Sequence, residues 1–394
     1  MTRVSPRHPH LHVGTAEQLR ARRTMKWTAY PDDVLPMWVA EMDFPVCREV
    51  ASAIERACGA ETFGYPSRVA VRELGAAFAD WQARHTGWAV APERVNDVGD
   101  VMHGVSLAIR HWSSPGEAVV IPSPVYMPFF EVVELTGRPQ VRVPMGWDGE
   151  RWVLDLDGID TALAAGARTV LISNPHNPLG RVFERAELAA LADVVERHGA
   201  RVVSDEIHGP LTLDGRPFVP YAAVSDHAAA HSITVTSASK SWNLPGLKCA
   251  QLVTHTDADQ QRLDALSFWE RVGVSTLGIE ANLAAYRHGD EWLGEVRETL
   301  AEHRDLVAAA VADWPGARTV ANEGTYLQWL DFGELGLDEE PATWLLREAK
   351  VALNAGAPFG GAEHRFARLN FATTRPLLEE GISRIGRAVR ARHG

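Results

Sequence analysis

The chain has 394 residues, 46% hydrophobic and 23% charged, with a formal net charge of -12 at pH 7. A chain of this length buries a large core and is expected to divide into roughly two or three domains. The acidic balance and the lack of a Lys/Arg-rich run argue against nucleic acid or an anionic membrane surface as main partner and favour a small-molecule role.

Cys47, Cys58 and Cys249 form no CxxC pair, which speaks against a disulfide framework or zinc site and for a reducing, cytoplasmic setting. The opening "MTRVSPRHPHLHVG" has no signal-peptide core, and no apolar run reaches transmembrane length. Within it His8, His10 and His12 alternate as metal ligands could, but beside prolines at a terminus they read as a mobile polar tail, and no metal is expected.

Residues 1–45 are expected to form an N-terminal segment packed on a smaller domain. "HGVSLAIRHW" is expected to open a helix at about Gly104. Short β-rich runs then alternate with helical patterns: "EAVVIPSP" at 117–124, "RTVLISNP" at 168–175, "ARVVSDE" at 200–206, "SITVTSAS" at 232–239 and "KCAQLVTH" at 248–255. Nearly continuous apolar runs suit strands covered by helices on both faces. Between two of them, "ERAELAALADVVERHGA" places Leu188, Leu191 and Val195 on one helical face and closes on Gly199. The rhythm predicts an α/β domain over residues 46–285 with a largely parallel sheet, whose ligands bind at the carboxyl ends of the strands. From 286 to 394 a long helical stretch, the short strands "TYLQWLDF" and "HRFARLNFA", and a final helix predict a smaller α+β domain.

Several strands end in polar residues: Asn174 and Asn177, Asp205 and His208, Ser237, Ser239 and Lys240. Burying such groups without partners costs about 1–3 kcal/mol each, so a shared ligand is expected to satisfy them. Lys240 stands out because lysine accounts for few of the 39 basic residues: Lys26, Lys240, Lys248 and Lys350. A strand-end lysine, a carboxylate on the neighbouring strand and nearby hydroxyls are the parts pyridoxal 5'-phosphate needs.

The motifs "LPMWVAEMDFPV", "FGYP", "PSPVYMPF", "NPHNPLGRVF", "SDEIHGPL", "SASKSWNLPGLKCAQ" and "RLNFATTR" follow in this order over most of the chain. Together they resemble the fold-type I pyridoxal-phosphate superfamily, specifically the cystathionine β-lyases and related carbon–sulfur lyases described as MalY/PatB-like. The resemblance implies the aspartate aminotransferase-like fold and a homodimer with shared active sites. It makes Lys240 the lysine that forms an imine with the cofactor, a task closed to the permanently protonated guanidinium of arginine. Asp205 would hold the pyridine nitrogen protonated, with Asn177 and His208 along one ring edge and Tyr126 over the ring face. Gly104, Val105 and Ser106 at a helix N-terminus, with Ser237 and Lys248, would hold the phosphate, and Tyr65 would reach it from the neighbouring subunit. Arg368 would grip the substrate α-carboxylate through a two-pronged contact, with Trp38 bordering the pocket.

Gly209-Pro210, Trp242 and Pro245 depart from many relatives and could shape the wall for a particular thioether. The implied reaction is β-elimination from L-cystathionine or related cysteine S-conjugates, giving a thiol, pyruvate and ammonia. An aminotransferase of the same fold is the alternative, separable by its need for a 2-oxo acid. The complete Lys, Asp, Asn and Arg set argues against a purely binding or regulatory protein.

Overall fold

Each apolar run expected as a strand is one in the computed structural model, which describes residues 8, 11, 14–360 and 363–393. The large sheet is built in chain order from β1 (Val95–Val98), β2 (Val119–Ser123), β3 (Gln140–Pro144), β4 (Thr169–Ser173), β5 (Arg201–Asp205), β6 (Ser232–Thr236) and β7 (Ala250–Val253). Across the sheet the order is β1-β7-β6-β5-β4-β2-β3. From β3 through β6 all neighbours are parallel, whereas β7 runs antiparallel to both β6 and β1. Strands β2, β4 and β6 are buried at every position, which explains why their sequences show no polar alternation.

Helix α1 (Val101–Trp112) follows β1 directly and starts one turn earlier than expected. Asp100 is its cap, accepting the His103 N–H, and the Gly104 N–H already bonds to the Asp100 carbonyl at 3.0 Å. Gly104 serves a different end, since a Cβ there would lie 2.6 Å from Val235 Cγ1 in β6. Its missing side chain lets α1 press against the sheet.

Helix α2 (Arg185–Arg197) buries Leu188, Leu191 and Val195 completely, and Gly199 follows it with φ +56°, the left-handed ending that glycine favours. Helices α3 (Thr276–His288) and α4 (Asp290–Ala312) are separated by Gly289, so the expected division at 285 falls inside α3. Beyond α4 a second sheet is formed by β8 (Arg318–Thr319), β9 (Leu327–Asp331), β10 (Asn354–Ala355) and β11 (Phe366–Asn370), antiparallel in the order β8-β9-β11-β10. Helix α5 (Arg375–His393) packs on α4.

Near the start of the chain, Leu35–Pro36 pairs in parallel with Val351–Ala352. Leu11 is fully buried in the same apolar cluster as Leu293 and Val296 of α4, and His8 Nε2 lies 2.8 Å from Glu298 Oε2. The mobile-tail reading therefore fails for residues 8 and 11, because a buried leucine anchors them; His10 and His12 lie outside the described residues. Among the described residues no helix is long and apolar enough to cross a membrane.

Candidate active site

A cavity of about 190 Å³ opens at the carboxyl ends of the parallel strands, lined by residues that include Tyr126, Asn177, Asp205, His208, Lys240 and Lys248. Topology brings them together: Ser173 ends β4, Asp205 ends β5 in register with it, and Lys240 lies in the turn after β6. This is the place where sheets of this type bind ligands.

Lys240 Nζ donates to the Ala40 carbonyl at 2.7 Å. Burial pushes its pKa down to about 8, helped by the Arg368 charge and opposed by Glu41 and Asp205. A lysine so placed is partly unprotonated near neutral pH, as a nucleophilic amine must be. Asp205 accepts the Ile207 N–H at 3.0 Å through Oδ1, and burial raises its pKa to about 7 against the pull of that N–H and of Lys240. A carboxylate held under that penalty gains most from a cationic N–H partner. Burial likewise keeps His208 neutral, its pKa well below the usual value; its Nδ1 has no partner, and its ring stands edge-on to Tyr326 with centroids 5.8 Å apart.

Arg368, on β11, is 3% exposed. Its Nη1 donates to Asn177 Oδ1 at 2.8 Å, and its Nη2 to Asn354 Oδ1 at 2.8 Å and the Trp38 carbonyl at 3.1 Å. All three acceptors are neutral, Nε has no partner, and among the described residues no carboxylate pairs with it. Burial lowers the guanidinium pKa to about 10, so it stays charged at neutral pH. An unneutralised buried cation is a receptor for an anion.

The anion end of the cavity differs from expectation. Because α1 begins at Val101, the N–H groups of Val105 and Ser106 are spent inside the helix, whereas Val101 and Met102, whose N–H groups precede the first intrahelical bond, line the cavity. Lys248 lines the same end and donates to Asp100 Oδ2 at 2.7 Å. The Ser237 hydroxyl is already committed, donating to the Cys249 carbonyl at 2.6 Å and accepting the Ser239 N–H at 3.0 Å; Ser239 lines the cavity in its place. Tyr65 is 92% exposed and is not part of the lining in its own chain. Trp38 meets the site through its carbonyl on Arg368. Of the departures noted in the sequence, Pro245 lines the cavity, while Trp242 is buried in the core against Trp81 and Tyr286.

Sequence reasoning placed the segment 38–43 at the pocket only through Trp38 and missed the backbone carbonyls with which it closes the cavity beside Lys240. Its carbonyls are taken up one by one: Trp38 by Arg368, Val39 and Glu41 by Asn370, Met42 by Asn243, and Ala40 by Lys240 and Tyr326. The buried Lys26–Asp43 pair, 2.7 Å apart, with the Trp27 Nε1 bond to Asp43, anchors its far end. Backbone acceptors carry no residue-type signature, although the asparagines and the tyrosine that bind them do.

These residues fit pyridoxal 5'-phosphate: an amine of depressed pKa, a buried carboxylate that forms no ion pair among the described residues, and helix N–H groups beside a lysine. The aminotransferase class I and II family model matches residues 32–385. A cystathionine β-lyase of Corynebacterium glutamicum is 43% identical over 94% of this chain and 97% of its own. The protein MalY of Escherichia coli is 32% identical over 91% and 92%. A crystal structure described as a PLP-dependent β-cystathionase from Corynebacterium diphtheriae superposes with a TM-score of 0.92 at 39% identity, covering 96% of this chain and 99% of that one. The fold and the ordered motifs agree with these kinships: the chain belongs to the aminotransferase class I and II family, in its MalY/PatB-like branch.

Proposed function

We propose that the chain is a pyridoxal-phosphate-dependent carbon–sulfur lyase that cleaves L-cystathionine or related cysteine S-conjugates to a thiol, pyruvate and ammonia. The observation that carries this reading is the Lys240 amine lining the cavity, with the unneutralised Arg368 guanidinium directly behind it, bound at 2.8 Å to the lining residue Asn177. When bound, the cofactor supplies an aldehyde for condensation with amines and a protonated ring that withdraws the electrons left by Cα–H cleavage.

The residues of the chain do the rest. Arg368 binds the α-carboxylate and fixes the amino acid in one orientation. Asp205, its charge destabilised by burial, holds a proton on the pyridine nitrogen. Lys240 would remove the Cα proton through its uncharged amine, a positioned general base being worth typically about 10²–10⁴ in rate. The electron pair left at Cα would form the Cα–Cβ double bond and expel the Cβ sulfur as thiolate, which would take up the proton held by Lys240; the enamine released would be hydrolysed by solvent water to pyruvate and ammonia. The buried lining keeps water from competing for the Lys240 proton.

Kinship with the corynebacterial cystathionine β-lyase favours elimination over transamination. The homodimer is part of the proposal: Phe63, Tyr65, Phe268 and Trp269 are 65%, 92%, 62% and 80% exposed, an apolar surface that a second copy would cover. Tyr65 would then enter the partner's phosphate site. The test is to incubate the loaded protein with L-cystathionine and no 2-oxo acid. Stoichiometric pyruvate and homocysteine support the proposal, whereas product formation only after adding a 2-oxo acid assigns an aminotransferase.

A further inference from the structure

We propose that Tyr326 is a positioning residue for Lys240, acting through the carbonyl oxygen the two side chains share; this rests on the reading of Lys240 above. Tyr326 is fully buried, and its hydroxyl donates to Ala40 O at 3.1 Å, the oxygen that also receives Lys240 Nζ at 2.7 Å. The neighbouring carbonyls of the segment are held by Arg368, Asn370 and Asn243, so Ala40 O is the one directed to the lysine.

A carbonyl oxygen has two lone pairs. With Tyr326 on one, a single acceptor site is left for Nζ, which sets the direction of the lysine and keeps the carbonyl from fully solvating an ammonium. The hydroxyl thus favours the uncharged amine, the form that attacks an aldehyde and accepts a Cα proton. The other charged and titratable groups around the amine are Arg368, Glu41, Asp205, neutral His208, Tyr126 and the Asp100–Lys248 pair. A Tyr326→Phe change leaves them in place, and it keeps the ring that packs on His208.

The experiment mixes apoprotein with pyridoxal phosphate and follows the appearance of the visible absorption band across the neutral to alkaline range, which reads the apparent pKa of the attacking amine without any turnover. Tyr326→Phe is expected to raise that pKa by about 0.5–1 unit, the equivalent of one ordinary hydrogen bond. Tyr221→Phe, which removes an equally buried hydroxyl from its 2.8 Å contact with His231, is expected to leave it unchanged. A Tyr326→Phe profile that coincides with wild type, or moves down, overturns the inference. Should the Phe variant not fold, 3-fluorotyrosine placed at 326 provides the second measurement: a stronger donor must lower the apparent pKa, and an unmoved profile overturns the inference equally. Failure of the wild-type protein to develop the band at any pH refutes the reading of Lys240 itself, and the Tyr326 inference falls with it.

Discussion

Lys248 Nζ donates to Asp100 Oδ2 at 2.7 Å, tying the turn after the Lys240 loop to the residue that caps α1. Asp100 uses its other oxygen to accept the His103 N–H at 2.8 Å, so one carboxylate fixes both the helix start and the lysine. Burial would raise its pKa, but the Lys248 bond and the His103 N–H outweigh that and hold it below the usual carboxylate range. Helix N–H groups and an ammonium therefore meet at one end of the cavity.

Lys248→Ala is expected to weaken cofactor affinity roughly tenfold or more, the scale of one charge-assisted hydrogen bond. Because Lys248 is 58% exposed, the loss should shrink as salt is raised. Titration of apoprotein with pyridoxal phosphate at low and high salt measures both. Equal affinity for variant and wild type would remove Lys248 from the phosphate site.

Arg368→Gln is expected to raise KM for the amino acid by about 100-fold, since two charge-assisted bonds to the carboxylate disappear. The unliganded variant should melt no lower than wild type, because a buried cation without an anion is costly. Propionate, a carboxylate with nothing else to offer, should raise the melting temperature of the wild type and not of the variant. Stabilisation of both alike would contradict the assignment.

A third prediction concerns pH. Glu206, next to Asp205, accepts from the Ser204 hydroxyl at 2.9 Å and the Tyr221 N–H at 2.8 Å through one oxygen, while its other oxygen is buried without a partner. Burial pushes its pKa up to about 8 from 4.5, and that of Asp205 to about 7 from 3.8. Both are raised in the folded state, so their stabilising effect is complete at low pH and lost as pH climbs through the folded values. The buried histidines His176 and His255, depressed to about 3 and about 4, act oppositely but only below their ordinary value of 6.5. Between pH 6.5 and about 8 the carboxyls therefore dominate, and apoprotein stability should fall. Glu206→Gln should flatten that fall by up to about 1.4 kcal/mol per pH unit. Denaturant unfolding of the apoprotein at several pH values checks it; parallel slopes for variant and wild type would contradict it.

Much of this was legible in the sequence for a physical reason. Strands buried on both faces advertise themselves as apolar runs, and β2, β4, β5, β6 and β7 were located, whereas the partly exposed edge strand β3 and the short β1 were not. Lys240 and Asp205 were legible as polar groups at strand ends, Arg368 and the role of Asn177 only through the family resemblance, and the fold brings all four to one region. The helix start was misjudged at Gly104 although Asp100 offered an ordinary capping signal three residues before His103. Ser237 came from the resemblance; which of two neighbouring hydroxyls the turn uses internally is not visible in a sequence, and here the Ser237 hydroxyl bonds within the turn while Ser239 lines the cavity. Ala40 was invisible, since what it contributes is a carbonyl that any residue possesses.

The proposed homodimer with shared sites predicts complementation. Mixing Lys240→Ala protein with Tyr65→Ala protein, under conditions that exchange subunits, should recover activity that neither has alone, because each hybrid holds one site with both residues intact. Sedimentation should give a dimer for both variants. Additive inactivity in verified hybrids would put Tyr65 outside the partner's site.

The most direct test of the central claim is chemical. Borohydride reduction of the cofactor-loaded protein, followed by peptide mapping, should place the pyridoxyl label on Lys240, in the peptide containing "SASK". A label on Lys26, Lys248 or Lys350, or no label at all, would contradict the account.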